Sequence, residues 1–277
     1  MADEPEASDA PAPLPDLDPR LRVLIVPGAF AECFPEFGMP FEDAARSFRL
    51  RGGRVEFIPV SGRGGCDRNA ARIAAALAAI PFEPCERIVL IGHSKGAADI
   101  LHFLVNHPDA ARRIRAVVSV AGAVNGSPLA DALAEGPGSL LTGLPFRHCP
   151  PEDRRVLACL TRSYRMKWLA SHRLPSHVKY FSLAAFTRRE EIQPLMLFTY
   201  DLLAAVEPRN DGYLAFYDQL IPGGTLLGYA ALDHWDIALP VRERMNLGGA
   251  GSRAAARKLL FDAILATVTA SLASADD

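Results

Sequence analysis

The chain has 277 residues, 49% hydrophobic and 22% charged, a composition that is globular rather than disordered and sufficient for a full core. Thirty Lys and Arg against 32 Asp and Glu leave a net charge of -2, so the basic excess that recruits nucleic acid is missing. The cysteines (Cys33, Cys66, Cys85, Cys149, Cys159) are odd in number and contain no C-x-x-C pair; with no leader-like or bilayer-length apolar run, the expectation is reduced thiols in a cytoplasmic protein without an integral membrane segment.

Residues 1–20 are rich in Pro, Ala, Asp and Glu and too poor in apolar side chains to offset ordering entropy, so a flexible tail is expected. Leu21 to Val26 reads as the first strand and delivers the loop Pro27-Gly28-Ala29-Phe30 at its carboxyl end, where ligands bind in open α/β sheets. A helix from Pro40 to Arg51, a strand from Val55 to Val60 and a helix capped by Asp67 continue the alternation. Gly62, Gly64 and Gly65 lack the Gly-Lys-Ser/Thr and G-x-G-x-x-G patterns of phosphate loops, and a tight strand-to-helix turn explains them better.

Ile88 to Ile91 is a continuous apolar run, as in a parallel strand covered on both faces, and it leads into Gly92-His93-Ser94-Lys95-Gly96 and then a helix stopped by Pro108. This is a G-x-S-x-G elbow. Ser94 must occupy a sharp turn, with glycines where a Cβ would collide and helix N-terminal N–H groups close by to stabilise an oxyanion. Another buried strand spans Ile114 to Ala121. From 124 to 177 the alternation breaks into a Gly- and Pro-rich stretch and a helical segment near Arg154 to Ser171, the pattern of an insertion or cap between the core halves 21–123 and 178–277. The sheet resumes at Lys179 to Phe186, followed by a helical segment over 189–206, a loop carrying Asp211, a last strand at Thr225 to Ala230, and His234 immediately beyond it. An amphipathic helix over Ser252 to Leu272 closes the chain.

A serine hydroxyl attacks only with a base in contact and a carboxylate to orient that base. Asp211 and His234 supply both, with Asp201 and Asp218 as alternative acids; Asp233 and Asp236 lie too near His234 in sequence to reach its Nδ1 easily. His93 should leave its strand on the side opposite Ser94 and pack. Asp99 should pair locally, and Lys95 is read as a solvated or salt-bridged side chain. His148, Cys149, His172 and His177 match no standard ligand spacing, so no metal or other cofactor is expected.

On VPGAF at 26–30, GHSKG at 92–96, NDG at 210–212 and DHWD at 233–236, in the order Ser, Asp, His, the chain resembles the lipase- and esterase-like α/β-hydrolases over roughly residues 21–275. The resemblance implies an α/β-hydrolase fold: a mostly parallel central sheet, helices on both faces and an inserted cap. It further implies Ser94 as nucleophile, His234 as base, Asp211 as acid, and an oxyanion hole from the N–H groups of Lys95 and Ala29, with Phe30 as the substitute for Ala29. Phe30, Trp168, Leu169 and Trp235 are the expected substrate contacts. The activity implied is hydrolysis of a small-molecule carboxylic ester, an acyl or lipid ester whose anionic portion the arginines of 147–173 could meet. A thioesterase, acyltransferase or peptidase would use the same residues, and a non-catalytic binding protein of this fold is the reading from another class.

Overall fold

In β1 (Leu21–Val26) and β3 (Arg87–His93) every residue except Arg22 is buried, the burial of strands covered on both faces. They belong to a six-stranded sheet in the order β2-β1-β3-β4-β5-β6, completed by β2 (Arg54–Phe57), β4 (Ile114–Val120), β5 (Lys179–Ala185) and β6 (Thr225–Ala230). All the pairings are parallel. The computed structural model describes residues 18–83, 85–135, 149 and 155–274. The expectations for the tail up to residue 17 and for 136–148 and 150–154 lie outside these residues.

Parallel strands need crossovers, and these supply the covering layers. On one face Val23, Ile25, Val89 and Ile91 pack with Phe48 of α1 (Glu42–Leu50) and with Phe261, Ile264 and Val268 of the C-terminal helix. On the other, Leu24, Val26, Ile88 and Leu90 meet Ile73 and Leu77 of α2 (Cys66–Ala79) and Ile100, Leu101 and Leu104 of α3 (Lys95–Asn106). Successive strand residues therefore serve opposite layers, each large apolar side chain contributing about 1.5–3 kcal/mol by its burial.

Further along come α4 (Pro108–Ala111), α5 (Pro128–Glu135), α6 (Arg162–Ser171), α7 (Leu197–Ala204), α8 (Val241–Arg244) and α9 (Ala250–Ala273). Pro128–Glu135, in the stretch expected to be loop-rich, thus forms a helix, α5. The expected helix over 189–206 is instead two 3-10 turns, Arg189–Glu191 and Pro194–Met196, ahead of α7, because Pro194 has no N–H to continue a helical ladder. Asp67 does not cap α2; Gly65 occupies that position, and the Asp67 carboxylate instead accepts from His102 Nδ1 at 2.7 Å. No helix among the described residues is long and apolar enough to cross a membrane.

The cysteines correct the sequence reading. Cys33 and Cys149 form a disulfide across 116 residues of chain, a closure that sequence spacing does not reveal. With this bond formed, the cysteines no longer favour a reducing compartment.

Candidate active site

β3 ends at His93, and Ser94 turns the chain into α3 with φ 55° and ψ -127°, a positive φ that a non-glycine residue adopts only where its surroundings impose it. Its carbonyl oxygen accepts from the N–H groups of Ala97 (3.2 Å) and Ala123 (3.0 Å), and its own N–H donates to the Val120 carbonyl at 3.2 Å. A Cβ on Gly92 would lie 2.5 Å from the Ala97 nitrogen, and one on Gly96 would strike the Val26 carbonyl. The two glycines of the motif are therefore required by close backbone approach at the turn.

From the far side of the sheet, the loops after β5 and β6 bring Asp211 and His234 to this serine. Ser94 Oγ lies 2.8 Å from His234 Nε2, and His234 Nδ1 lies 2.7 Å from Asp211 Oδ2. The same pair is joined through the backbone, His234 N–H donating to the Asp211 carbonyl at 2.9 Å. Asp211 Oδ1 accepts from the N–H groups of Tyr213 (2.9 Å) and Leu214 (2.7 Å), so one carboxylate oxygen is held by its own turn and the other faces the imidazole. Asp211 is fully buried and His234 nearly so, which strengthens each of these contacts relative to water.

Gln219 completes the arrangement, and no sequence motif marks it. Its side-chain amide exchanges two hydrogen bonds with the backbone of Ala185 at the end of β5 (2.6 and 2.8 Å), and Nε2 also lies 3.3 Å from Asp211 Oδ2. A lone glutamine in an irregular loop carries no local pattern to betray this contact. His93 behaves differently from the packing role expected. Its Nε2 donates to the His234 carbonyl at 2.9 Å, and burial, with the neighbouring His234, pushes its pKa down to about 3.

The other acidic candidates do not reach His234 Nδ1. Asp201 is exposed and paired with Arg189, while Asp218 is buried beside Arg162, 3.4 Å away. Asp233 accepts from the N–H groups of Trp235, Asp236 and Gln193, and Asp236 from Arg242 Nε and Gln193 Nε2, so both pin the histidine turn. Asp99 pairs with Lys95 at 2.6 Å as expected of a local partner, but the lysine is wholly buried, not solvated. Burial works against its charge, yet the Asp99 carboxylate outweighs that and raises its pKa.

The Pro27–Phe30 loop lies directly against the serine: a Cβ on Gly28 would sit 3.3 Å from Ser94 Oγ. Phe30 adopts φ 60° and spends its N–H on the Gly62 carbonyl at 3.0 Å, while both Glu32 carboxylate oxygens accept from Gly62 N–H at 2.7 Å. The glycine-rich segment thereby braces this loop. The Phe30 N–H, already donated, does not serve as the substitute oxyanion donor; among the described residues the N–H groups of Ala29 and Lys95 meet no protein acceptor.

A cavity of about 260 Å³ opens over Ser94 and His234. Phe30, Phe34, Leu129, Leu133, Leu157 and Leu160 contribute walls, Trp235 also lines it, and its described lining includes no Lys, Arg, Asp or Glu. The expected contacts Trp168 and Leu169 are not there. Trp168 stacks on His102 at 4.0 Å and Leu169 packs with the same α2–α3 side of the core, because the face of α6 that bears them turns toward the sheet. The arginines of α6 do not line this cavity either: Arg162 pairs with Asp218, and Arg165 is buried with Nε donating to the Val124 carbonyl. Of the histidines weighed as ligands, His172 and His177 contact the carbonyls of Trp168 and Ala111, and His148 lies outside the described residues.

A parallel sheet with a strained serine elbow after β3, faced by a histidine and an aspartate from later loops, defines an α/β-hydrolase. No family model and no curated protein matches the sequence. Among solved structures, the metagenomic carboxyl esterase MGS0156 is 39% identical, with 98% of this chain and 82% of that one covered at a TM-score of 0.87. The mature lipase BlEst2 of Bacillus licheniformis (21% identity, 83% and 89% covered, TM-score 0.64) and EstA of Clostridium botulinum (15%, 90% and 89%, 0.58) share the fold. The chain belongs to the α/β-hydrolase family, alongside carboxyl esterases.

Proposed function

We propose that the protein is a serine carboxylic-ester hydrolase working through an acyl-enzyme on Ser94. The observation that carries the reading is the continuous chain Ser94 Oγ, His234 Nε2, His234 Nδ1, Asp211 Oδ2 at contacts of 2.8 and 2.7 Å, at the floor of an apolar cavity. His234 takes the hydroxyl proton as Oγ attacks the ester carbonyl, and Asp211 holds the tautomer with the proton on Nδ1 and stabilises the imidazolium that forms. The N–H groups of Lys95 and Ala29 receive the oxyanion. His234 returns the proton to the departing alcohol, then activates water to release the acid.

The cavity's uncharged walls favour a neutral, apolar acyl group, and the 39% identity to a carboxyl esterase supports esters as the substrate class. The segments 124–135 and 155–177 act as part of a cap, since Leu129, Leu133, Leu157 and Leu160 form one wall of that cavity. Ser94→Ala tests the reading: covalent labelling by a fluorophosphonate should vanish and aryl-ester turnover should fall by several orders of magnitude. Retained labelling would refute it.

A further inference from the structure

Cys66 and Cys159 play no part in the chemistry above, yet their sulfurs lie 2.7 Å apart on elements 93 residues distant in sequence. Cys66 opens α2, and Cys159 lies in the 3-10 turn Ala158–Leu160. Both are buried, packed with Ala98 of the serine-bearing helix and with Val156 and Leu160 of the insertion. A formed disulfide needs the sulfurs to close to about 2.05 Å, a small movement for two side chains already in contact.

We propose that Cys66 and Cys159 are a second disulfide-forming pair, which locks the insertion's cavity wall onto the serine-bearing core. The turn it would fasten is flanked by Leu157 and ends at Leu160, both lining the cavity over Ser94. With Cys33–Cys149 already tying residue 149 to the loop that follows Phe30, this second bond would anchor the insertion on α2 as well.

Access and reactivity are both provided. A separate cavity of about 210 Å³ is lined by the two cysteines, with Arg68, Arg155 and Tyr164 among its other walls, so a small disulfide reagent has a route to them. The Cys66 S–H donates to Cys159 Sγ. Burial disfavours the Cys159 thiolate, but that hydrogen bond and the Lys95 ammonium lower its pKa, whereas burial raises that of Cys66. Cys159 is the attacking sulfur. Its thiolate displaces one half of the reagent disulfide as a thiol, and Cys66 Sγ, losing its proton, attacks Cys159 Sγ and displaces the other half. The protein gives up two protons and two electrons, and the reagent takes them up as two thiols.

Trypsin places each cysteine on a different peptide, with Cys66 in 64–68 and Cys159 in 156–162. The full chain is reduced, transferred into bis(2-hydroxyethyl) disulfide, alkylated with iodoacetamide under denaturing conditions and digested without reductant. The expected product is 64–68 joined to 156–162, with Cys85 alkylated. Alkylated Cys66 and Cys159, reagent adducts on either, or linkage of either to another cysteine overturns the proposal. In parallel, the oxidant-dependent rise in Tm should be smaller by about 5 °C in Cys159→Ala than in the wild type. An equal rise in both would also overturn it. Neither measurement depends on the ester-hydrolase reading.

Discussion

His93 Nε2 donates to the backbone carbonyl of His234 at 2.9 Å, so the residue just before the serine holds the turn that presents the histidine to it. With its pKa at about 3, His93 keeps a neutral ring and the contact persists across the working pH range. His93→Leu preserves bulk and removes the donor. Losing one buried hydrogen bond costs about 0.5–1.5 kcal/mol, so the expected result is kcat lowered up to about tenfold, with fluorophosphonate labelling slowed but retained. Initial rates on an aryl acetate check this; unchanged kcat would reduce His93 to packing.

Asp211→Asn should leave the protein folded, since the asparagine oxygen can still accept from the Tyr213 and Leu214 N–H groups. Its amide would then face His234 Nδ1 and favour the wrong tautomer, at an expected cost on the order of 10⁴ in turnover, the scale seen when this substitution is made in other triads. Asp201→Asn, whose side chain pairs on the surface with Arg189, should be nearly silent. Turnover measured beside melting temperature separates the two, and an active Asp211→Asn would reassign the acid.

Substrate range should respond at Leu157, not at Trp168. Leu157→Trp fills part of the cavity over Ser94, so hydrolysis of long acyl esters should fall while an acetate ester is turned over nearly as before. Trp168→Ala removes a ring stacked against His102 in the core, and about 3–5 kcal/mol of stability should be lost with acyl preference unchanged. A chain-length series with thermal melts on both variants tests the division.

Asp218 gives a pH signature in stability. Burial, opposed by Arg162, raises its pKa from 3.8 to about 7, and Oδ2 has no hydrogen-bond partner among the described residues. The folded protein therefore retains a proton that the unfolded chain releases near 3.8, so this group's contribution to stability falls as pH rises from about 4 to about 7. Asp218→Asn should raise Tm at pH 8 by about 3 °C, roughly 1 kcal/mol once the lost Arg162 attraction is set against the relieved burial, with little change at pH 4. A gain of equal size at both pH values would contradict the raised pKa.

Local rules made much of this molecule legible in the sequence. Apolar runs such as Ile88 to Ile91 identified strands buried on both faces, and β6 falls on the residues expected of it. Gly92, Ser94 and Gly96 announced the elbow because its backbone cannot be built with side chains at the flanking positions. Asp211 and His234 could be nominated because each follows a strand that ends at the same edge of the sheet.

Long-range packing decided the rest. Which face α6 turns inward put Trp168 on His102 and left Leu157 and Leu160 to line the cavity, a rotation that its weak apolar periodicity did not specify. Gln219 and His93 act through contacts with distant backbone groups, and no residue pattern encodes such an acceptor in advance. The pairing of Cys33 with Cys149 likewise depends on a chain closure of 116 residues, for which counting cysteines supplies no partner. Sequence set the local conformations and the chemistry available; only the folded packing decided which of those groups meet.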